Sequence, residues 1–423
     1  MDMRRIVAWL LFSVLPVCLC AKTLAPANSV TTFVIFPPEN QSNAQDLSWV
    51  GEGLAIAISE EMEMPEVETL SREERVRFEE SIDLPPSVPL SRASMIRVAQ
   101  KAVADRLVFG SYSGTKENLQ ISVRVLNLKS LKLGGEHVAN GPVAALPQLE
   151  NELAWVLLSE TYPDLKLSRE EFRARTRTVP NQPFSDFVGC LSVGDDSERA
   201  KRVQKTVELY RDFPQASYLL GEYYFGLGDW ARSMQYLQPA LKGPQNFLET
   251  EFMLGTCYLK LEDPSNAVEA YNSLLSRSQS LEAFNNLGVA YLRKGDFPQA
   301  ARALSQARGF SESNASVILN LAIANRLRGD EAAALAFLEQ AVGAHPDQGM
   351  IQYLYSLMLD KRGEPEKAAR ALDVARKLGI DVEKLPRQDP LTWTQIYLTW
   401  TRRPVAKLGT VTSFRHPFAN LPI

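Results

Sequence analysis

Small residues recur along the second half of the chain at a nearly fixed step: Gly221, Gly255, Gly288, Ala322 and Ser356 lie 34, 33, 34 and 34 residues apart. A period of that length constrains the fold more than any other feature. Each unit is then a helix–turn–helix that cannot bury its apolar face alone and must stack on its neighbours. A large residue precedes each small one (Leu220, Leu254, Leu287, Leu321, Tyr355) and fills the space between units. The second helix places Ser233, Ala267, Ala300, Ala334 and Ala368 at the crossing. Four residues later come Leu237, Tyr271, Leu304, Leu338 and Leu372, on the same helical face. Gly228-Asp229, Gly295-Asp296, Gly329-Asp330 and Gly363-Glu364 supply turns, and Pro346 closes a unit.

This pattern closely resembles the tetratricopeptide repeat (TPR) family over residues 215–377. The resemblance implies a right-handed α-solenoid, here spanning residues 184–383: a degenerate opening unit over 184–214, then five clear units. Terminal units are often atypical because they cap the stack. In that family the concave groove is lined by the exposed side of each first helix. Carried over by position, the lining is Tyr218, Glu222 and Phe225; Phe252, Thr256 and Leu259; Asn285, Val289 and Leu292; Leu319, Ile323 and Arg326; and Tyr353, Leu357 and Asp360. Arg293, Lys260 and Lys361 form the rim. Family members that grip acidic carboxyl termini carry lysine where this chain has Tyr218 and Phe252, so that specificity is absent. The implied groove is apolar and aromatic, suited to an amphipathic helix or an extended apolar segment of a partner, unless the tail or tight superhelical packing covers it.

Ahead of the repeats, residues 31–36 (TTFVIF) read as a buried strand stopped by Pro37-Pro38. Ser48 begins a helix, residues 66–70 form a short strand, and Ser91 caps another helix. Residues 106–112 return as a strand and residues 119–128 alternate, with Leu119, Ile121, Val123 and Val125 on one face. Residues 132–139 give its hairpin partner and 147–158 a closing helix. The order predicts an α/β domain with a mixed sheet, giving the chain an α/β part followed by an all-α part. The stretches Phe33–Asn40, Trp49–Leu54 and Ala104–Ser111 resemble the TolB N-terminal-like domains found ahead of repeat arrays, over residues 28–163. That family implies a non-catalytic, protein-contacting module of the cell envelope. The charged stretches Glu60-Glu61-Met62-Glu63 and residues 72–80 read as solvated helix faces. Gly51-Glu52-Gly53 lacks the further glycine and the lysine of a phosphate loop, and reads as close packing.

Residues 164–183 read as a charged linker ending in Pro180 and Pro183. After the fifth unit, Trp393, Tyr397 and Trp400 fall at helical spacing, so residues 384–404 are expected as a capping helix and 405–423 as an extended tail. Phe414, Phe418 and Leu421 would let that tail fold back into the groove.

At the start, Arg4 and Arg5 precede the apolar run 6–19 and small residues near Ala21, the pattern of a secretory signal over residues 1–21. Cys18 and Cys20 raise lipidation, but Val17 and Leu19 are larger than that processing favours. Removing Asp2, Arg4 and Arg5 moves the net charge from −4 to −5, a mild acidity that excludes the basic footprint of nucleic-acid binding. Cys190 and Cys257 are then expected as buried free thiols. The 3 histidines, His137, His345 and His416, lie in different regions without metal-ligand spacing. Neither a nucleophile elbow nor a zinc helix is present, so no enzyme, catalytic residue, metal or cofactor is expected. The sequence points to an exported, periplasmic adaptor that binds another envelope protein through its repeats, touching a membrane only if lipidated. The alternative is a ligand-binding or catalytic first domain for which the repeats are the dock.

Overall fold

In the computed structural model, residues 30–42, 44–84, 90–242, 248–383, 385 and 390–398 are described. The signal segment 1–21, with Cys18 and Cys20, lies outside them, as do Trp400, Pro404 and the tail 405–423.

The first region begins with β1 (Thr31–Ile35) and β2 (Glu39–Asn40), then α1 (Val50–Met62), β3 (Val67–Thr69), α2 (Arg72–Glu80) and α3 (Arg92–Lys101). It continues with β4 (Arg106–Gly114), β5 (Leu119–Asn127), β6 (Lys132–Leu133), β7 (His137–Gly141) and α4 (Leu146–Thr161). The strand order is β3-β1-β4-β5-β6, with β2 also paired to β4 and β7 to β5. β1 runs parallel to β3 and β4, whereas β4–β5 and β5–β7 are antiparallel, which makes the sheet mixed. Alternation places Leu119, Ile121, Val123 and Val125 in the core against α1 and α4. Ser71 and Ser91 cap α2 and α3 by accepting the backbone N–H three residues on.

The stretch expected as a linker instead belongs to this core. It contains α5 (Arg169–Arg173), whose Phe172 is buried beside Trp155. Arg177 pairs with the wholly buried Glu150, and Arg175 donates to the carbonyls of Glu61 and Glu63. Arginines in a Pro-containing stretch suggested solvent, but their partners come from elements far away in sequence.

The solenoid opens with α6 (Asn181–Cys190) and α7 (Asp196–Leu209). Its five regular units are α8/α9 (Pro214–Gly226, Trp230–Ala240), α10/α11 (Leu248–Lys260, Pro264–Arg277) and α12/α13 (Leu281–Lys294, Phe297–Phe310), followed by α14/α15 (Ala315–Leu327, Glu331–Ala344) and α16/α17 (Gly349–Arg362, Pro365–Lys377). The small residues permit the helix crossing directly: a Cβ on Gly288 would lie 2.4 Å from Leu304 Cγ. Gly295 turns the chain in the left-handed region at φ 81°, and Asp296 then caps α13 by accepting the N–H of Gln299. The second unit makes the same turn with Glu262, at φ 61°, in place of glycine. Cys190 and Cys257 are free and buried.

The two regions are packed together. Trp49, Ile56 and Ala57 of the first join Phe184, Phe187, Phe213 and Leu220 of the second in one apolar cluster. Glu60, expected on a solvated face, is buried there and accepts from Gln215 of α8; Glu61, also buried, accepts from Asn151 of α4. Likewise α2 is not simply exposed, because Arg75 and Glu79 are buried and paired 3.1 Å apart. Beyond α17, residues 390–393 form a single 3-10 turn and residues 394–398 run without regular helix, so the described part of the expected capping helix is not one.

Candidate functional site

The concave face is covered by other parts of the same chain. At its amino-terminal end, α2 stands over α8 and α10: Arg77 lies 3.8 Å from Glu249, which also accepts from the Tyr218 hydroxyl at 2.8 Å. Burial raises the Glu249 and Glu73 carboxyls and the Tyr218 phenol above their ordinary pKa values, with Glu222 close enough to push each the same way.

Farther along, residues 393–398 cross the first helices of units five to three in an order opposite to the chain. Trp393 sits edge-on against Tyr353, with ring centroids 5.7 Å apart. Gln395 donates its N–H to Asn320 Oδ1 (2.9 Å) and accepts at its carbonyl from Asn320 Nδ2 (2.8 Å) and Asn285 Nδ2 (2.8 Å). Tyr397 repeats the pattern one unit back, donating to Asn286 Oδ1 (2.8 Å) and accepting from Asn286 Nδ2 (2.8 Å). Its hydroxyl is 2.9 Å from Asn314 Oδ1. A carboxamide that engages both polar groups of one residue reads the backbone and ignores the side chain. Residues 395 and 397 are two apart, so in an extended chain they present the same edge.

The fold fixes those asparagines from behind. Gly255 leaves room for Tyr271, whose ring lies 2.8 Å from where a Cβ would be. The Tyr271 hydroxyl accepts from Asn286 Nδ2 (3.1 Å) and donates to Thr256 Oγ1 (2.9 Å), whose own hydroxyl donates to the Phe252 carbonyl. Asn320 Nδ2 also donates to Asn285 Oδ1 at 2.9 Å. Burial raises the Tyr271 phenol far above its ordinary pKa, so it stays protonated. The result is a neutral, pre-oriented row of amides in a wall otherwise apolar.

Of the residues expected to line the groove, Asn285 and Tyr353 meet the strand as just described. Ile396 and Tyr397 pack on the cluster holding Phe252, and Trp393 on that holding Leu319 and Ile323. Leu259, Val289 and Leu292 are wholly buried, as is Thr256. Arg293 is turned inward, donating to the Leu259 carbonyl. Tyr218 and Glu222 face α2, and Phe225 packs edge-on against Trp230. Arg326 is half-buried. Asn286, Asn314 and Asn320 were missed. Their signal was available: Asn286 and Asn320 sit 34 residues apart, one position after the presumed face, in helix interiors where asparagine is a poor choice.

Among the described residues no group of acidic, histidine or cysteine side chains could hold a metal ion, and no helix is long and apolar enough to cross a membrane. Gly51 and Gly53 are packing positions: a Cβ on Gly51 would lie 2.5 Å from the Pro38 carbonyl oxygen, and Gly53 is pressed on Phe184 and Trp49.

The family model described as Tetratricopeptide repeat matches residues 252–315, 287–349 and 319–382. The tetratricopeptide repeat-containing protein trd-1 of Caenorhabditis elegans is 28% identical over 222 residues, covering 51% of this chain and 28% of its own. This chain therefore spans less than a third of that relative. Among solved structures, MamA is 21% identical with a TM-score of 0.36, covering 40% of this chain and 98% of its own. YrrB, described as a TPR protein with an unusual peptide-binding site, is 16% identical with a TM-score of 0.37, covering 44% and 100%. The helical array carries tetratricopeptide repeats, set behind a mixed-sheet α/β region.

Proposed function

We propose that this protein is an exported cell-envelope adaptor whose repeats hold an extended segment of a partner protein along their concave face. The observation that carries this reading is the paired hydrogen bonding of Asn286 and Asn320 to the backbone of Tyr397 and Gln395. Such pairs bind extended chain of many sequences, while the neighbouring pockets for aromatic side chains select among them. The occupant is therefore read as a strand with apolar side chains rather than as an amphipathic helix. Export is supported by Arg4, Arg5 and the apolar run 6–19. A TolB N-terminal-like first domain fits an envelope role. Its converging carboxylates Glu60, Glu61 and Glu150 are buried and paired beneath the first repeats, which suits a joint better than a substrate site.

The reading is tested with an array of overlapping peptides from envelope proteins, probed with the purified chain and with its Asn286→Ala/Asn320→Ala variant. Peptides retained by the first and lost by the second are expected; retention indifferent to both asparagines would overturn it. Mass analysis of the exported protein should give a start near residue 22, without lipid.

A further inference from the structure

We infer that residues 393–398 are a tethered internal ligand that closes the groove, and that the partner segment displacing it is an extended peptide with aromatic side chains at its first and fifth positions. This rests on the peptide-binding reading above and adds to it both a regulation and a recognition pattern.

Three observations converge. First, the segment supplies the groove with paired backbone groups at residues 395 and 397, two apart and so on one edge, and with side chains of Trp393, Ile396 and Tyr397 that pack on the repeats, while the Gln395 side chain is exposed. Second, it is tethered to the repeats through the chain that precedes it. α17 ends at Lys377, and Ile380, Val382, Leu385 and Leu391 of the connection pack on the cluster of the last repeats before the strand enters the groove. A ligand on a connection of this length competes at an effective concentration of about millimolar, enough to exclude weak outside peptides and yield to stronger ones. Third, its fit is imperfect. The Trp393 indole N–H is buried and finds no acceptor among the described residues, a defect that a partner carrying phenylalanine there would not have. An internal segment that fills the site, but less well than an outside one could, behaves as a displaceable occupant.

The test compares the full chain with a Gln395→Pro/Tyr397→Pro variant, which lacks the two N–H groups that the asparagines accept. The probe is a fluorescein-labelled peptide with the sequence of residues 390–398. The proline variant should bind it at least about tenfold more tightly than the unaltered chain, reflecting removal of the tethered competitor. Adding Asn286→Ala/Asn320→Ala should abolish that binding. Peptides with alanine for the tryptophan or the tyrosine should each bind about fivefold or more weakly, and one with phenylalanine for the tryptophan at least as tightly. Equal affinity of proline variant and unaltered chain would overturn the tether while leaving the peptide reading intact. Failure of the proline variant to bind, or binding indifferent to the asparagines, would overturn both. Hydrogen exchange on the unaltered chain guards against a misfolded variant: the amides of Gln395 and Tyr397 should be protected, and protection should fall when unlabelled peptide is added. Unprotected amides refute the tether. Protection lost on dilution would mean that the strand comes from a second copy, which also refutes it.

Discussion

The two ends of the concave face are closed by opposite chemistry. At the amino-terminal end, α2 comes from another domain and meets the repeats through charge: Arg77 beside Glu249, with Glu73, Glu222 and the buried Glu60 close by. At the other end, residues 393–398 are held by neutral amides and aromatic packing. A charged closure embedded in buried carboxylates is fixed in geometry but sensitive to pH. An amide-to-backbone closure is indifferent to pH and tolerant of sequence, which is what a site exchanging one strand for another requires. The difference teaches that one repeat array can carry a permanent dock and an exchangeable site on the same face.

The largest effect expected at the exchangeable end comes from Asn286→Ala with Asn320→Ala. Four hydrogen bonds to the strand backbone are lost. At about 1 kcal/mol each, peptide affinity should fall at least about a hundredfold in a titration. The melting temperature of the first domain should not change.

A pH series then separates the two ends. Burial raises Glu60 to about 8 and Glu61 to about 9, so both are protonated in the folded chain near neutrality. The unfolded chain releases these protons near pH 4.5, so between there and pH 8 to 9 the folded state binds more protons and loses stability as pH rises. Raising pH from 5 to 9 should lower the melting temperature of the joint by several degrees, roughly, and Glu60→Gln should reduce that drop. Protection of the Gln395 and Tyr397 amides should stay constant over the same series until the joint itself melts.

Smaller effects refine the picture. Tyr271→Phe removes the hydroxyl that orients Asn286 while leaving the ring beside Gly255, and should weaken peptide binding by about 1 kcal/mol without lowering helical content by circular dichroism. Arg77→Ala should change stability least. Its side chain is 36% exposed, so the pair with Glu249 is worth under about 1 kcal/mol and should vanish into the noise at high salt.

What the sequence showed follows the range of the forces involved. The crossing of Gly288 with Leu304 is steric and local to one unit, so the 34-residue period displays it directly. The alternation of Leu119–Val125 is equally local. Glu60 and Glu61 misread as a solvated face because their burial depends on α4 and α8, distant in sequence. Trp393 and Tyr397 misread as a helix because a four-residue spacing matches helical periodicity, whereas the chain leaves a 3-10 turn at Trp393 and the backbone that follows is held by Asn320 and Asn286 of distant helices. The expected lining included Asn285 and Tyr353, which residues 393–398 touch, and omitted Asn286 and Asn320, since an apolar groove was sought and these amides are polar.

Backbone N-methylation of the peptide with the sequence of residues 390–398 tests the central claim most directly, because it deletes one N–H and keeps every side chain. Binding to the Gln395→Pro/Tyr397→Pro chain is measured with methyl groups placed singly at the glutamine, isoleucine and tyrosine positions. The amide pairing predicts loss of about tenfold or more at the glutamine and at the tyrosine, whose N–H groups donate to Asn320 and Asn286, and little change at the isoleucine, for which the pairing uses no N–H. Equal effects at all three positions, or a loss confined to the isoleucine, would contradict backbone reading by Asn286 and Asn320.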